Sequence, residues 1–230
     1  KVLWSSRIDT TETMIAWLKT LKTSPKVLIN ASAVGYYGTD ENTHFDESSP
    51  ADPNSSFASR LCQTWERAAA KAQSIDGCRV VLMRFGVVLG RDGGMISRMW
   101  WPFKLGLGCR IGDGSQMMSW IHIDDAIAAI GFAINHRSID GPLNVTSPFA
   151  VSQVTFADGL SQAFNRSRWM WLPSPLFKYT LGEMAEELLL SGATVLPKKL
   201  ETSGFEFKHP HIESALQEIV SPVRSQQVSK

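Results

Sequence analysis

Two short runs constrain this chain more than any other feature. Lys26–Asn30 and Cys78–Phe85 are almost continuously apolar. They are too short for independent helices and lack the alternation of a half-solvated strand, so they read as strands buried on both faces of a parallel sheet. Each ends in small residues: Ala31-Ser32-Ala33-Val34-Gly35-Tyr36-Tyr37-Gly38 after the first, Gly86-Val87-Val88-Leu89-Gly90 after the second. Parallel neighbours need a crossover. The spacing of Phe57, Leu61, Trp65 and Ala69 predicts that crossover as a helix over 57–73. The alternation predicts an α/β domain with right-handed connections, and antiparallel pairing of the two runs would overturn it.

The remaining segments are read around this unit. A first helix is expected from an N-cap at Asp9 or Thr10, with Met14, Ile15, Leu18 and Leu21 on one face. Residues 39–56 are polar, carry Pro50 and Pro53, and read as a surface loop. Residues 90–119 hold seven of the 17 glycines, four methionines and Trp100-Trp101, a mobile, apolar composition; the stretch 90–120 is the expected substrate loop. Trp120–Ile123 reads as extended, Asp124 as the cap of a helix bearing Ile127, Ile130 and Ile134, and Leu143–Val145 as another strand. From about Ala150 the pattern is helical, with stripes at Phe156, Leu160 and Phe164, at Leu176, Phe177, Leu181, Met184, Leu188 and Leu189, and at Ile212, Leu216 and Ile219. The expected division is a partial dinucleotide-binding domain over 1–149, a small, mainly helical domain over 150–220, and a polar tail over 221–230.

Composition excludes several classes of partner. The 23 Lys+Arg against 22 Asp+Glu leave a net charge of +1, without the basic excess that duplex binding uses. No run approaches the ~20 apolar residues of a membrane span, and no signal-peptide pattern opens the chain. Cys62, Cys78 and Cys109 form neither a disulfide framework nor a metal knuckle. The expectation is a cytoplasmic protein with reduced thiols, no metal, no nucleic acid and no membrane.

In an open parallel sheet, ligands bind at the carboxyl ends of the strands, here Ala31–Gly38 and Gly86–Gly90. The Ser32 hydroxyl could orient a carbonyl or carboxamide there, and a purely structural turn is the competing reading. The order of segments resembles the atypical branch of the extended short-chain dehydrogenase/reductase superfamily, epimerase-like proteins of unknown substrate. The resemblance rests on Ser6-Arg7, Ser32–Gly38, Trp65-Glu66, Arg84–Gly90, Asp92–Gly94, Pro102–Gly108, Trp120–Asp125, Leu196–Leu200 and Gly204-Phe205. It implies a Rossmann-type sheet, of which this chain carries the C-terminal half, followed by a small helical domain.

The resemblance further implies NADP or NAD as cofactor and a small-molecule substrate. It assigns Arg7 to a phosphate or ribose contact, Gly86 and Val88 to backbone-level cofactor contacts, and Ser32 to the nicotinamide carboxamide. The family's glycine-rich phosphate loop and first strands are expected to precede Lys1, so residues 1–230 alone are expected not to bind NAD(P) at micromolar affinity. The superfamily's Tyr-x-x-x-Lys pair, which moves a proton in carbonyl chemistry, falls on Ala58 and Cys62, or one residue earlier on Phe57 and Leu61. Neither register supplies an acid or base. Ser32 and a substitute phenol, Tyr37 or Tyr36, are therefore the catalytic candidates, and Cys62 is a cofactor-side candidate at the lysine position. Met118 stands where nucleotide-sugar relatives place a diphosphate-pairing arginine.

Each candidate has a plainer reading. Arg7 would be a surface arginine, Gly86 and Val88 strand-end packing, Tyr37 a core aromatic and Cys62 an inert thiol. His122 reads as a structural histidine bonded to backbone, and Lys198-Lys199 as a solvated pair. Two functions follow: an NAD(P)-dependent oxidoreductase or epimerase-like enzyme, or a catalytically inert dinucleotide-binding sensor or regulator. A cell-division label carried by some relatives fits the second.

Overall fold

The computed structural model describes residues 2–54, 56–167, 170–172 and 192–221. A short helix α1 (Val2–Trp4) runs through a π-helical stretch, Ser5–Asp9, into α2 (Thr10–Leu18). Asp9 is itself helical and its side chain caps nothing, so the expected start at Asp9 or Thr10 is corrected to Val2. Strand β1 (Val27–Ala33) ends in a 3₁₀ turn, Val34–Tyr37, and is followed by β2 (Asp40–Phe45). Helix α3 (Phe57–Ala70) is capped by the Ser56 hydroxyl, which accepts the Ser59 N–H. It leads to β3 (Arg79–Phe85), β4 (Val87–Leu89), α4 (Gly94–Lys104), β5 (Cys109–Ile111), β6 (Met117–Met118) and β7 (Trp120–His122). Then come α5 (Ile123–Asn135), β8 (Gly141–Val145), β9 (Val151–Ser152), α6 (Gln153–Ala163), β10 (Met170–Leu172), β11 (Ala193–Val195), α7 (Lys198–Thr202) and α8 (Ile212–Val220).

The central sheet has the order β1-β3-β8, all parallel, as the two apolar runs require. Leu28 lies beside Val80, and Ser32 beside Arg84 beside Asn144. Residues of one strand face point into a layer with α2 and α3, through Ile15, Leu28, Ala69, Ala72, Val80 and Leu82. The opposite face packs Val81, Met83, Leu143 and Val145 against Ala126, Ala129 and Ala133 of α5 and Leu200 of α7. Helices on both faces of a parallel sheet make the α/β, Rossmann-type fold. A further core joins Ile96 and Phe103 of α4, Trp120 of β7, Phe156 and Leu160 of α6, and Ile212, Leu216 and Ile219 of α8. Phe164 packs against it, so the first and last C-terminal stripes face inward as their periodicity implies. The stripe from Leu176 to Leu189 lies outside the described residues.

Several expectations are corrected. The polar 39–56 segment is not all loop: β2 pairs in parallel with β11, about 150 residues downstream. The 90–119 stretch contains the three-turn helix α4 with Pro102 inside it, and its Ile96 and Phe103 are fully enclosed. Phe57 is exposed, whereas Leu61 and Ala69 are buried. In α5, Ile127 and Ile134 are 60% and 50% exposed, while Ile130 packs partly buried against the sheet core. The face toward the sheet is Ala126, Ala129 and Ala133, because small side chains let a helix axis come close. The cap of this helix is His122, whose Nδ1 accepts the Asp124 N–H at 3.2 Å, rather than Asp124.

Candidate functional site

The carboxyl ends of β1, β3 and β8 carry one polar row, Ser32–Arg84–Asn144, in register. Period-2 geometry puts all three on the face covered by α3. That helix lowers Ser59, Cys62, Glu66 and Ala69 onto the sheet, and Glu66 lands on the row. Its carboxylate accepts Arg84 Nε and Nη2 at 2.8 Å each and the Ser32 hydroxyl at 2.7 Å. Arg84 Nη1 donates to the Tyr37 hydroxyl at 2.8 Å, which donates to Asn144 Oδ1 at 2.8 Å. The guanidinium also lies 3.4 Å from the Tyr36 ring centroid. Ser32, Glu66, Arg84, Tyr37 and Asn144 are all buried. Burial works against the Arg84 charge, yet the hydrogen bonds and attraction from Glu66 raise its pKa above the ordinary arginine value.

This network decides what the catalytic candidates can do. The one proton of Ser32 is spent on Glu66, so its oxygen can accept but not donate. Tyr37 is a core residue, stacked on Phe45, with both hydroxyl roles taken. Burial pushes its pKa up to about 12 against the lowering pull of Arg84. In this arrangement the phenol stays protonated and tethers Arg84 to Asn144. Burial likewise pushes the Cys62 thiol up, against the lowering contacts of Ala33 backbone and Ser32. It remains a protonated, enclosed thiol beside Ser32.

The remaining candidates fall at the rim. Arg7 sits in the π-helical stretch with its guanidinium 5.4 Å from the Trp65 ring centroid. Trp65 Nε1 donates to Thr11 Oγ1, which donates to the Arg7 carbonyl, so α2 and α3 hold that stretch together. Gly86 is required by packing: a Cβ there would stand 2.6 Å from the Ser119 carbonyl oxygen. Gly35 is similarly constrained, since its Cβ would meet Ala58 Cβ at 3.1 Å; both positions must be small where the first turn of α3 crosses the 3₁₀ turn. Val88 pairs with Ile121 in the β4–β7 ladder and is half-buried. Met118 is buried in the C-terminal core rather than turned to a ligand. Lys198 is exposed on Asp46, but Lys199 is not solvated as expected: Nζ donates to the carbonyls of Asp140 and Pro142 at 2.8 and 2.6 Å. Burial lowers its pKa.

On the other face of β1 the surface is small and apolar. Ala31 is exposed, and Ala33, Phe85 and Val88 are half-open, with Ala33 and Phe85 side by side in register. This is the shape a flat, neutral ring needs for close approach to the backbone. No charged side chain of the row faces it.

Against known proteins, the model of the NAD dependent epimerase/dehydratase family matches residues 1–151. The chain belongs to that family. A second model, a domain of unknown function (DUF1731), matches residues 172–219. An epimerase family protein of Mycobacterium leprae is 44% identical over 214 residues, spanning 93% of this chain and 68% of that protein. Among solved structures, the human epimerase family protein SDR39U1 (isoform 2), crystallised with NADPH, superposes with a TM-score of 0.88 at 33% identity. The match covers 94% of this chain and 72% of the human one. A nucleoside-diphosphate sugar epimerase of Corynebacterium glutamicum follows, with a TM-score of 0.77, 28% identity, and coverage of 95% and 42%. The protein is thus an atypical extended short-chain dehydrogenase/reductase relative with a Rossmann-type sheet. Among its described residues, no helix is long and apolar enough to cross a membrane.

The sequence reading missed Glu66, Arg84 and Asn144. A signal did exist: a charged pair, Arg84 in a buried strand and Glu66 on the sheet-facing side of an amphipathic helix, is costly unless the two meet.

Proposed function

We propose that this epimerase-family protein binds NAD(P), with the nicotinamide end over Ala31, Ala33, Phe85 and Val88, and holds it without proton-coupled turnover. The single observation that carries this reading is that the Ser32 and Tyr37 hydroxyls are both engaged within the fold. Ser32 is committed to Glu66 and Tyr37 to Arg84 and Asn144, and by the family resemblance the usual Tyr and Lys positions fall on Ala58 and Cys62 or on Phe57 and Leu61, neither of which supplies an acid or base. Bound NAD(P) would supply hydride transfer. Ser32 would contribute only as an acceptor, suited to a carboxamide N–H₂, with Arg7 as a peripheral contact. The two-part division, 1–149 with the loop 90–120 and 150–220, belongs to the same proposal. The NADPH in the human relative's crystal supports dinucleotide binding and leaves turnover open.

The enzymatic reading has one observation in its favour: Trp101, Leu105 and Leu107 are 62%, 68% and 47% exposed, an apolar surface within 90–120 suited to a weakly polar substrate. Titration of the full-length protein with NADPH and NADH, paired with a carbonyl and alcohol screen, separates the two. Saturable binding with consumption at background supports the proposal. Stoichiometric NADPH consumption that vanishes in Ser32→Ala or Tyr37→Phe overturns it.

A further inference from the structure

Away from the strand-end row, a second group of side chains converges from distant parts of the chain. His122 closes β7, His209 precedes α8, and Glu218 lies on α8. One ligand atom of each lies within 4.8 Å of the others. His122 Nε2 stands 3.1 Å from Glu218 Oε2, and the two imidazole rings are 4.0 Å apart, centroid to centroid. His122 is 2% and His209 8% exposed. His209 Nε2 is buried with no hydrogen-bond partner, whereas buried polar atoms are almost always satisfied. Its nearest carboxylate oxygen, Asp124 Oδ2, is 4.0 Å away and already holds Lys208 Nζ at 2.6 Å.

We propose that His122, His209 and Glu218 form a divalent-cation site of the zinc class. Two imidazole nitrogens and a carboxylate oxygen are a zinc donor set, and a water completes four-coordination. In a tetrahedral site with bonds of about 2.0–2.2 Å the donors stand about 3.3 Å apart, so closing the present cluster takes side-chain rotation rather than backbone movement. Glu218 has that freedom, with its side chain 53% exposed, and it leaves a path for the ion from solvent. His209 Nε2 gains the partner it lacks.

Binding has a definite cost in this geometry. His122 Nδ1 accepts the Asp124 N–H, so in the metal-free state its proton sits on Nε2, toward Glu218. Coordination through Nε2 moves that proton to Nδ1 and breaks the capping bond, which at 3.2 Å is already long. The ion would fasten α8 to the end of β7 and the start of α5. The Asp124 amide would report its arrival.

The test uses tag-free, chelator-stripped, full-length protein titrated with Zn²⁺ by calorimetry and with Co²⁺ by visible absorption. The expected result is one strong site per chain, tetrahedral Co²⁺ bands, a zinc-dependent rise in Tm and a shift of the Asp124 amide resonance. Glu218→Gln, at a half-exposed position, should weaken zinc by at least about 10–100-fold, what losing even an outer-sphere partner costs. His209→Asn should abolish the Co²⁺ bands. If His209→Asn fails to fold, Glu218→Gln decides alone. Zinc binding equally tight in Glu218→Gln, or an unmoved Asp124 amide, would place the binding elsewhere and overturn the proposal.

Discussion

The Glu66–Arg84 pair yields the sharpest quantitative expectation. Replacing either partner by methionine keeps volume roughly constant but strands the other charge in a site where Glu66 and Arg84 are 6% and 2% exposed. Breaking a buried pair this way costs about 3–5 kcal/mol. Glu66→Met should lie at the top of that range. Arg84 then loses the acceptors of two N–H groups and Ser32 loses its acceptor, and a guanidinium cannot shed its proton. Arg84→Met differs because a stranded carboxyl can neutralise itself. From the ordinary glutamate value of ~4.3 that escape costs about 4 kcal/mol at pH 7, which caps the penalty. In this variant the folded state would hold a proton that the unfolded chain has released. Its stability relative to wild type should therefore rise as pH falls from 7 toward ~4.3, by up to about 1.4 kcal/mol per pH unit. Glu66→Met should show no such recovery. The double variant buries no charge and loses only the hydrogen bonds to Ser32 and Tyr37, so it should cost about 1–3 kcal/mol, less than either single change. Urea unfolding at pH 7 and 5.5, with unchanged m-values, measures all three. If the single penalties simply add in the double variant, the pair is not coupled and the reasoning fails.

Other expectations rest on single contacts. Tyr37→Phe removes the bridge between Arg84 and Asn144 and should cost about 1–3 kcal/mol of stability while leaving NADPH affinity within error; a selective loss of binding would restore Tyr37 as a site residue. Gly86→Ala drives a Cβ to 2.6 Å from the Ser119 carbonyl and should cost about 1–3 kcal/mol by urea unfolding; a neutral result would mean the β4–β7 ladder yields freely. Ala129→Leu, on the enclosed face of α5, should destabilise by a similar ~1–3 kcal/mol, and tolerance there would show that the helix packs on its isoleucines instead.

The parallel sheet was legible because β1 and β3 are apolar almost throughout, which little else in a globular chain resembles. Their carboxyl ends were read as a ligand edge on the same basis. What escaped depends on contacts remote in sequence. Asp40–Phe45 is polar and becomes a strand only because Ala193–Val195 lies beside it. The sheet-facing side of α5 was not legible because hydropathy ranks isoleucine above alanine, while tight helix-on-sheet packing selects alanine at 126, 129 and 133. Helix α4 was hidden by two glycines and Pro102, yet Ile96 and Phe103 supply burial enough to override them. Ser32 was singled out by its position, while the partner that takes its proton, 34 residues away on another element, was not visible in the sequence.

The strand-end row also anchors the C-terminal part of the chain. Asn144 Nδ2 donates to the Leu196 carbonyl, and its backbone N–H donates to Glu47 Oε1, which also receives the Lys199 N–H. Thr146 Oγ1 donates to the Val195 carbonyl, while Ser119 Oγ donates to Ala193 and accepts from Val195. Burial raises the Glu47 pKa against those N–H bonds, so ionised Glu47 is held at some cost to the fold. Ser32, Glu66, Arg84, Tyr37, Asn144 and Thr146 are thus engaged in joining the strand ends to one another, to α3 and to β11. What remains for a ligand there is backbone and the small apolar surface of Ala31, Ala33, Phe85 and Val88. A surface of that kind would select a ligand by shape and by fit to main-chain hydrogen bonds.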